Sequence, residues 1–197
     1  MKNTFLIFDT ETSGLVPKNR NYTDTFHFDK NNCRIVSIAW KICTIDSIIK
    51  DSYYIVRPNG FKIPDVCIRV HGITNEHALE EGEEIEDVLN YICEDIKKYN
   101  VSFLVAHNIE FDRPLLLNEL YRMNHQDLMV IEKKHYLCTM IAGMELFNLG
   151  KYPKLIELVK LLYPDRSVKE MNEKAHNASW DTEACFDCFK EIYKRAN

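Results

Sequence analysis

No stretch of this chain is apolar and long enough to cross a bilayer, which excludes insertion by a helical span. Residues 1–4 lack the basic region, apolar core and cleavage site of a secretory signal, so the expected location is cytoplasmic, or nuclear in a eukaryote, and not extracellular. An excess of basic charge is missing as well. With 25 Lys and Arg against 30 Asp and Glu, the net charge of -5 argues against binding a polyanion through a broad basic surface. There is no internal repeat, low-complexity tract or linker, and residues 1–197 read as a single domain with 46% hydrophobic residues to fill its core. Seven cysteines, an odd number scattered through apolar runs, suit buried thiols in a reducing compartment. Cys185 and Cys188 have no second pair, and on a helix they share an apolar face with Ala184, Phe189 and Ile192, so they read as core packing.

The charge that is present is unevenly placed. Residues 80–98 carry eight acids against two lysines, whereas residues 151–174 carry six bases against four acids. The first region is either a solvated helix face or a surface that repels phosphate, and the second is a candidate to attract it.

Hydrophobic periodicity then orders the chain. The apolar run from residue 5 reads as a buried strand that ends in the acids at 9 and 11, and residues 34–42 and 52–57 as two more strands, with short polar turns that suggest antiparallel neighbours. The polar segment 16–33 between the first two reads as a loop or an irregular hairpin. Thr74 is a candidate helix N-cap. The stripe Ile85, Val88, Leu89, Ile92, Ile96, Tyr99 predicts a helix packed on the sheet. A strand at 101–106 reached through that helix should lie parallel to a neighbour. A helix with Pro114 in its first turn follows, then a short strand at 135–140, a helix at 152–163, a loop at 165–178 and a final amphipathic helix. The sum is an α/β fold with a mixed sheet of about five strands flanked by helices.

Acids gather at the ends of these elements. Asp9 and Glu11 occupy positions i and i+2 of the first strand, on one face and about 7 Å apart at ~3.3 Å per residue. Either the strand simply runs out into water there, or two crowded carboxylates await a cation, and a hard divalent ion suits carboxylate oxygens. Asp112 lies just beyond the strand at 101–106, as an N-cap or as a further acid at the sheet edge. Asp181 lies in the first turn of the last helix, with His176 five residues earlier in the loop. Four acids suffice to hold two magnesium or manganese ions about 3.5–4 Å apart, the arrangement that supports in-line phosphoryl displacement.

Three segments carry a resemblance. Residues 8–15, Phe-Asp-Thr-Glu-Thr-Ser-Gly-Leu, residues 106–112, Ala-His-Asn-Ile-Glu-Phe-Asp, and residues 176–181, His-Asn-Ala-Ser-Trp-Asp, resemble in order and spacing the motifs of the DEDDh group of DnaQ-like 3′-to-5′ exonucleases. His-Gly-Ile-Thr at 71–74 is similar to a segment of the same family. The resemblance implies a ribonuclease-H-like fold, with Asp9, Glu11, Asp112 and Asp181 as metal ligands and His176 as general base. An imidazole with an ordinary pKa near ~6.5 is suited to take a proton from an attacking water at neutral pH. It further implies that Thr10, Gly14 and Leu15 meet the terminal nucleotide, with Leu15 wedged against bases, and that Asn108 and Phe111 line the pocket. On the residues alone, Leu15 is equally a strand-end core residue and Phe111 a packing aromatic.

The expected activity is therefore release of nucleoside 5′-monophosphates from the free 3′ end of a single-stranded or frayed nucleic acid, DNA favoured. The alternatives are an exoribonuclease or short-oligonucleotide nuclease, a proofreading domain excised from a polymerase complex, and a non-catalytic binding module. No ligand position is lost, as the last would require. The partners to expect are nucleic acid, with a homodimer or a polymerase as further candidates.

Overall fold

The computed structural model describes residues 3–15 and 33–196; the expected loop at 16–33 lies, apart from Cys33, outside the described residues. In chain order the elements are β1 (Phe5–Thr12), β2 (Ile35–Cys43), β3 (Ile48–Ile55), α1 (Asp65–His71), α2 (Asn75–Glu81), α3 (Ile85–Lys98), β4 (Phe103–Ala106), α4 (Ile109–Arg122), α5 (Leu128–Glu132), β5 (His135–Cys138), α6 (Thr139–Leu146), α7 (Leu155–Leu162), α8 (Val168–Lys174) and α9 (Ala178–Ala196). The five strands form one sheet in the order β3-β2-β1-β4-β5. β1 pairs antiparallel with β2 and parallel with β4, and β5 continues the parallel side, which is the mixed ribonuclease-H-like sheet expected from the sequence.

The alternation of side chains along β1 assigns the helices to its two faces. Leu6 and Phe8 point with Ile38, Trp40 and Ile42 into the larger core, which the stripe of α3 and the apolar side of α4 cover. Phe5 and Ile7 point the other way, with Cys43 and Val105, onto Cys185, Phe186 and Phe189 of α9. Both thiols of the Cys185/Cys188 pair are buried and free, as core packing requires. The same alternation carries Asp9 and Glu11 to the α9 side. A register shift between Glu11 and Thr12, where β1 opposes Ser37 and then Ile35, bends the strand end just where the second acid leaves the sheet.

Three expectations need correction. Residues 165–178 are not all loop: α8 forms there, capped by Ser167, whose hydroxyl accepts from the Glu170 N–H, and its one buried residue, Met171, gives no periodicity to read. Pro114 is not in the first turn, because α4 begins at Ile109; the proline sits inside the helix and leaves the Glu110 carbonyl without its helical donor. Asp112 is accordingly not the N-cap; Asn108 holds that position with a left-handed φ of 73°, and Asp112 lies within the first helical turns and is buried.

Candidate active site

Asp9, Glu11 and Asp181 converge at the carboxyl end of β1. One carboxylate oxygen from each lies within 4.8 Å of the others, so the three can share a cation. Asp112 stands beside them. Its Oδ1 accepts from the Thr10 N–H at 3.1 Å and from the Thr10 hydroxyl at 2.7 Å, which ties the start of α4 to β1 from the pleat opposite Asp9 and Glu11.

The electrostatics of this group follow from crowding in a dry place. Burial, and after it the charges of Asp112, Asp181 and Glu11, hold the Asp9 carboxyl well above the ordinary range. Burial, Asp181 and Asp112 push Glu11 up to about 8. Asp112 rises to about 7 through burial although both Thr10 donors oppose it, and Asp181 rises to about 7 through burial against hydrogen bonds from the backbone of His176 and Asn177. Four acids so placed cannot all ionise near neutrality unless positive charge joins them. Their donors are all hard carboxylate oxygens, which fit magnesium or manganese.

His176 is exposed and immediately precedes the cap of α9. Its φ of 64° is left-handed, and the next residue, Asn177, accepts on its Oδ1 from the N–H groups of Ser179 at 3.1 Å and Trp180 at 3.2 Å. The loop that presents the imidazole is thus the one that fixes Asp181. Beyond His176 opens a cleft of about 720 Å³, lined by Lys41, Arg69, His71, Lys174, His176 and Trp180 among others.

The remaining predicted residues follow β1 or flank the start of α4. Leu15 is 84% exposed and joins no core cluster among the described residues. The Gly14 carbonyl accepts from the Thr12 hydroxyl at 2.6 Å and from the Cys33 thiol at 3.2 Å, and so shapes the turn before Leu15. Asn108 is exposed in its left-handed conformation, whereas Phe111 is half-buried against the larger core, as an ordinary packing aromatic is. His107, next to Asn108, donates from Nε2 to the Pro153 carbonyl and accepts at Nδ1 from the Thr139 hydroxyl, both at 3.0 Å. Burial lowers its pKa to about 4, so it is a neutral tie between β4 and the segment before α7.

Other side chains at the site carried no assignment from the sequence. The His71 ring accepts at Nδ1 from the Ile73 N–H at 3.1 Å, while its Nε2 is sealed from water against the Thr12 backbone without a well-formed hydrogen bond. Burial lowers its pKa, and the nearby His176 acts in the same direction. The His-Gly-Ile-Thr segment was the only signal for it. Lys41 is buried in the middle of β2 and pairs with Asp51 and, at 2.9 Å, with Glu183 of α9. A lysine within an apolar strand is the trace this leaves in the sequence. The basic segment 151–174, by contrast, is largely spent on its own neighbours: Lys151 pairs with Glu157, Lys160 donates to the Pro164 and Arg166 carbonyls, and Arg166 pairs with Asp187.

Comparison with known proteins bears on the family and the fold. The profile of the RNase_T exonuclease family matches residues 6–189. The chain belongs to the exonuclease family. A search of curated protein sequences finds no significant match. Among solved structures, this exonuclease-family chain is similar to Escherichia coli exonuclease I in complex with a dT13 oligonucleotide, at 19% identity and a TM-score of 0.71 over 98% of this chain and 42% of that one. It is also similar to exonuclease I of Methylocaldum szegediense, at 17% identity and a TM-score of 0.71 over 98% and 41%. The zinc-bound exonuclease I–ssDNA complex of E. coli matches at 18% identity and a TM-score of 0.69, over 99% and 41%. The chain therefore spans about two-fifths of the length of these exonucleases, and at such identities the similarity is one of fold.

Proposed function

We propose that this chain is a 3′-to-5′ exonuclease that hydrolyses the terminal phosphodiester bond of single-stranded DNA with the help of two divalent cations. The observation that carries this reading is the convergence of Asp9, Glu11 and Asp181 within 4.8 Å, with Asp112 beside them and His176 on the adjoining loop. Magnesium or manganese held by these four carboxylates supplies the positive charge that stabilises the attacking and leaving oxygens. The chain's own residues do the rest. His176 accepts the proton of the attacking water through its imidazole, and its exposed position lets it approach once the substrate's end is seated. The Thr10–Asp112 pair fixes the strand end against α4, so that the scissile phosphate meets a rigid carboxylate set. Leu15, projecting from the turn after β1, packs on the terminal base.

The DNA preference rests on the similarity to exonuclease I structures that hold DNA oligonucleotides, and a 2′-hydroxyl is what separates RNA from DNA at such a site. Labelled DNA and RNA oligomers of one sequence, degraded side by side in magnesium, test it. Faster hydrolysis of the DNA is expected, and equal or faster hydrolysis of the RNA overturns the substrate assignment.

A further inference from the structure

On the face of the molecule built by α3 and α4, a second group of metal-ligating side chains comes together. The Cys93 thiol on α3, the His125 imidazole in the turn after α4 and the Asp127 carboxylate just before α5 each place a donor atom within 4.8 Å of the other two. The three belong to no part of the exonuclease site, and two come from a turn that already meets α3 through the His125–Asn90 hydrogen bond and the Lys97–Asp127 ion pair.

We propose that Cys93, His125 and Asp127 form a zinc site that staples the α4–α5 turn to α3. Thiolate with imidazole is a soft to borderline donor set that selects zinc over magnesium, and three protein ligands leave a fourth position for water beside the half-exposed His125 ring. Two further observations point to a ligand. Cys93 is fully buried at the edge of the larger core, and its sulfur is the one core thiol that lies within 4.8 Å of both an imidazole nitrogen and a carboxylate oxygen among the described residues. The His125 ring is also oriented from outside the cluster: its Nε2 meets the Asn90 Oδ1 at 3.1 Å, while Nδ1 accepts from the Asp127 N–H at 3.2 Å, a long contact that a metal ion on Nδ1 would displace. A metal-bound histidine commonly has its tautomer fixed by an oxygen acceptor on the far ring nitrogen, and the Asn90 oxygen can act as one here.

Lys97 pairs with Asp127 through Oδ2 at 2.6 Å and has to yield. Its side chain is 49% exposed, so the ammonium can turn into water when a dication takes its place.

The test is cobalt titration of the full chain, read by the near-ultraviolet thiolate-to-cobalt charge-transfer band, which the all-carboxylate site cannot give. One equivalent of cobalt should develop the band, and zinc should bleach it. It should be absent in Cys93→Ser and His125→Gln but unchanged in Cys67→Ser, whose thiol lies near Glu11. Zinc should raise the unfolding temperature of Asp9→Asn, in which the carboxylate site is weakened, and should have no such effect once Cys93→Ser is added. His125→Gln changes a half-exposed turn, so the test stands even if Cys93→Ser folds poorly. Absence of the band, or its survival in either variant, overturns the proposal whatever the exonuclease assays show.

Discussion

Oδ1 of Asp112 receives two hydrogen bonds from one residue, Thr10, whose N–H lies at 3.1 Å and whose hydroxyl lies at 2.7 Å, across 102 positions of sequence. This is the point at which the second motif is joined to the first, and both donors oppose the burial that lifts Asp112 to about 7. Thr10→Val keeps the N–H and removes the hydroxyl. The carboxyl should then titrate higher, and the rising limb of the pH–rate profile should move to more alkaline pH, with Thr10→Ser restoring it. Charged hydrogen bonds are worth about 1.5–3 kcal/mol, so turnover near neutrality should fall by roughly ten-fold or more. An unshifted limb in Thr10→Val would show that Asp112 does not need the hydroxyl.

Stability should depend on pH in a direction opposite to that of most proteins. Glu11, at about 8, and Asp112 and Asp181, at about 7, lie above the values near 4 that carboxyls have in the unfolded chain. Between those limits the metal-free folded state binds more protons than the unfolded one, so its stability is greatest at low pH and is lost as pH rises through 7 and 8. On the proposed reading magnesium should bind the ionised carboxylates and offset the loss. Thermal unfolding in chelator should give a lower midpoint at about pH 8 than at about pH 5, and the gain on adding magnesium should be larger at the higher pH. Equal gains at both would contradict the assignment of these acids to the metals.

The base proposed for His176 and the metal-ligand role proposed for Asp181 are separable by experiment although one loop carries both side chains. His176→Ala removes an exposed ring and should leave folding and metal affinity nearly unchanged while lowering turnover by roughly 10²–10⁴-fold. Asp181→Asn should weaken metal binding and turnover together, because a ligand holds the ion whereas a base only moves a proton. Calorimetry with magnesium distinguishes them, and a His176→Ala variant with wild-type turnover at saturating substrate would remove the histidine from the chemistry.

Leu15→Ala tests the wedge. At 84% exposure the side chain contributes little to the fold, so stability should stay within about 0.5 kcal/mol. Loss of apolar contact with the terminal base should raise KM by about ten-fold. An unchanged KM would show that Leu15 does not touch substrate.

The parts legible in the sequence were those in which chemistry and local structure coincide. Asp9 and Glu11 were readable because an apolar strand ending in two acids on one face sets like charges side by side, a repulsion that a cation or a proton relieves. The α3 stripe was readable because its spacing is helical along its whole length. Thr74 was readable as a cap because its hydroxyl accepts from the His77 N–H at 3.1 Å, an interaction three residues long. What escaped depends on distant approach. That Thr10 holds Asp112, that His71 lies against Thr12 beside His176, and that buried Lys41 meets Glu183 across the sheet and α9 are consequences of packing. α1 and α8 escaped because they are seven residues long and together bury only Met171, so they carry almost no periodicity.

The proposed activity is hydrolysis from a 3′ end, dependent on cations held by Asp9, Glu11, Asp112 and Asp181. A single-stranded DNA oligomer labelled at its 5′ end, incubated with the chain in magnesium, measures this directly. The prediction is a descending ladder of labelled products that disappears in excess chelator and in Asp9→Asn. Immediate release of the labelled 5′ mononucleotide, cleavage of a closed circle, or an unchanged ladder in chelator would contradict it.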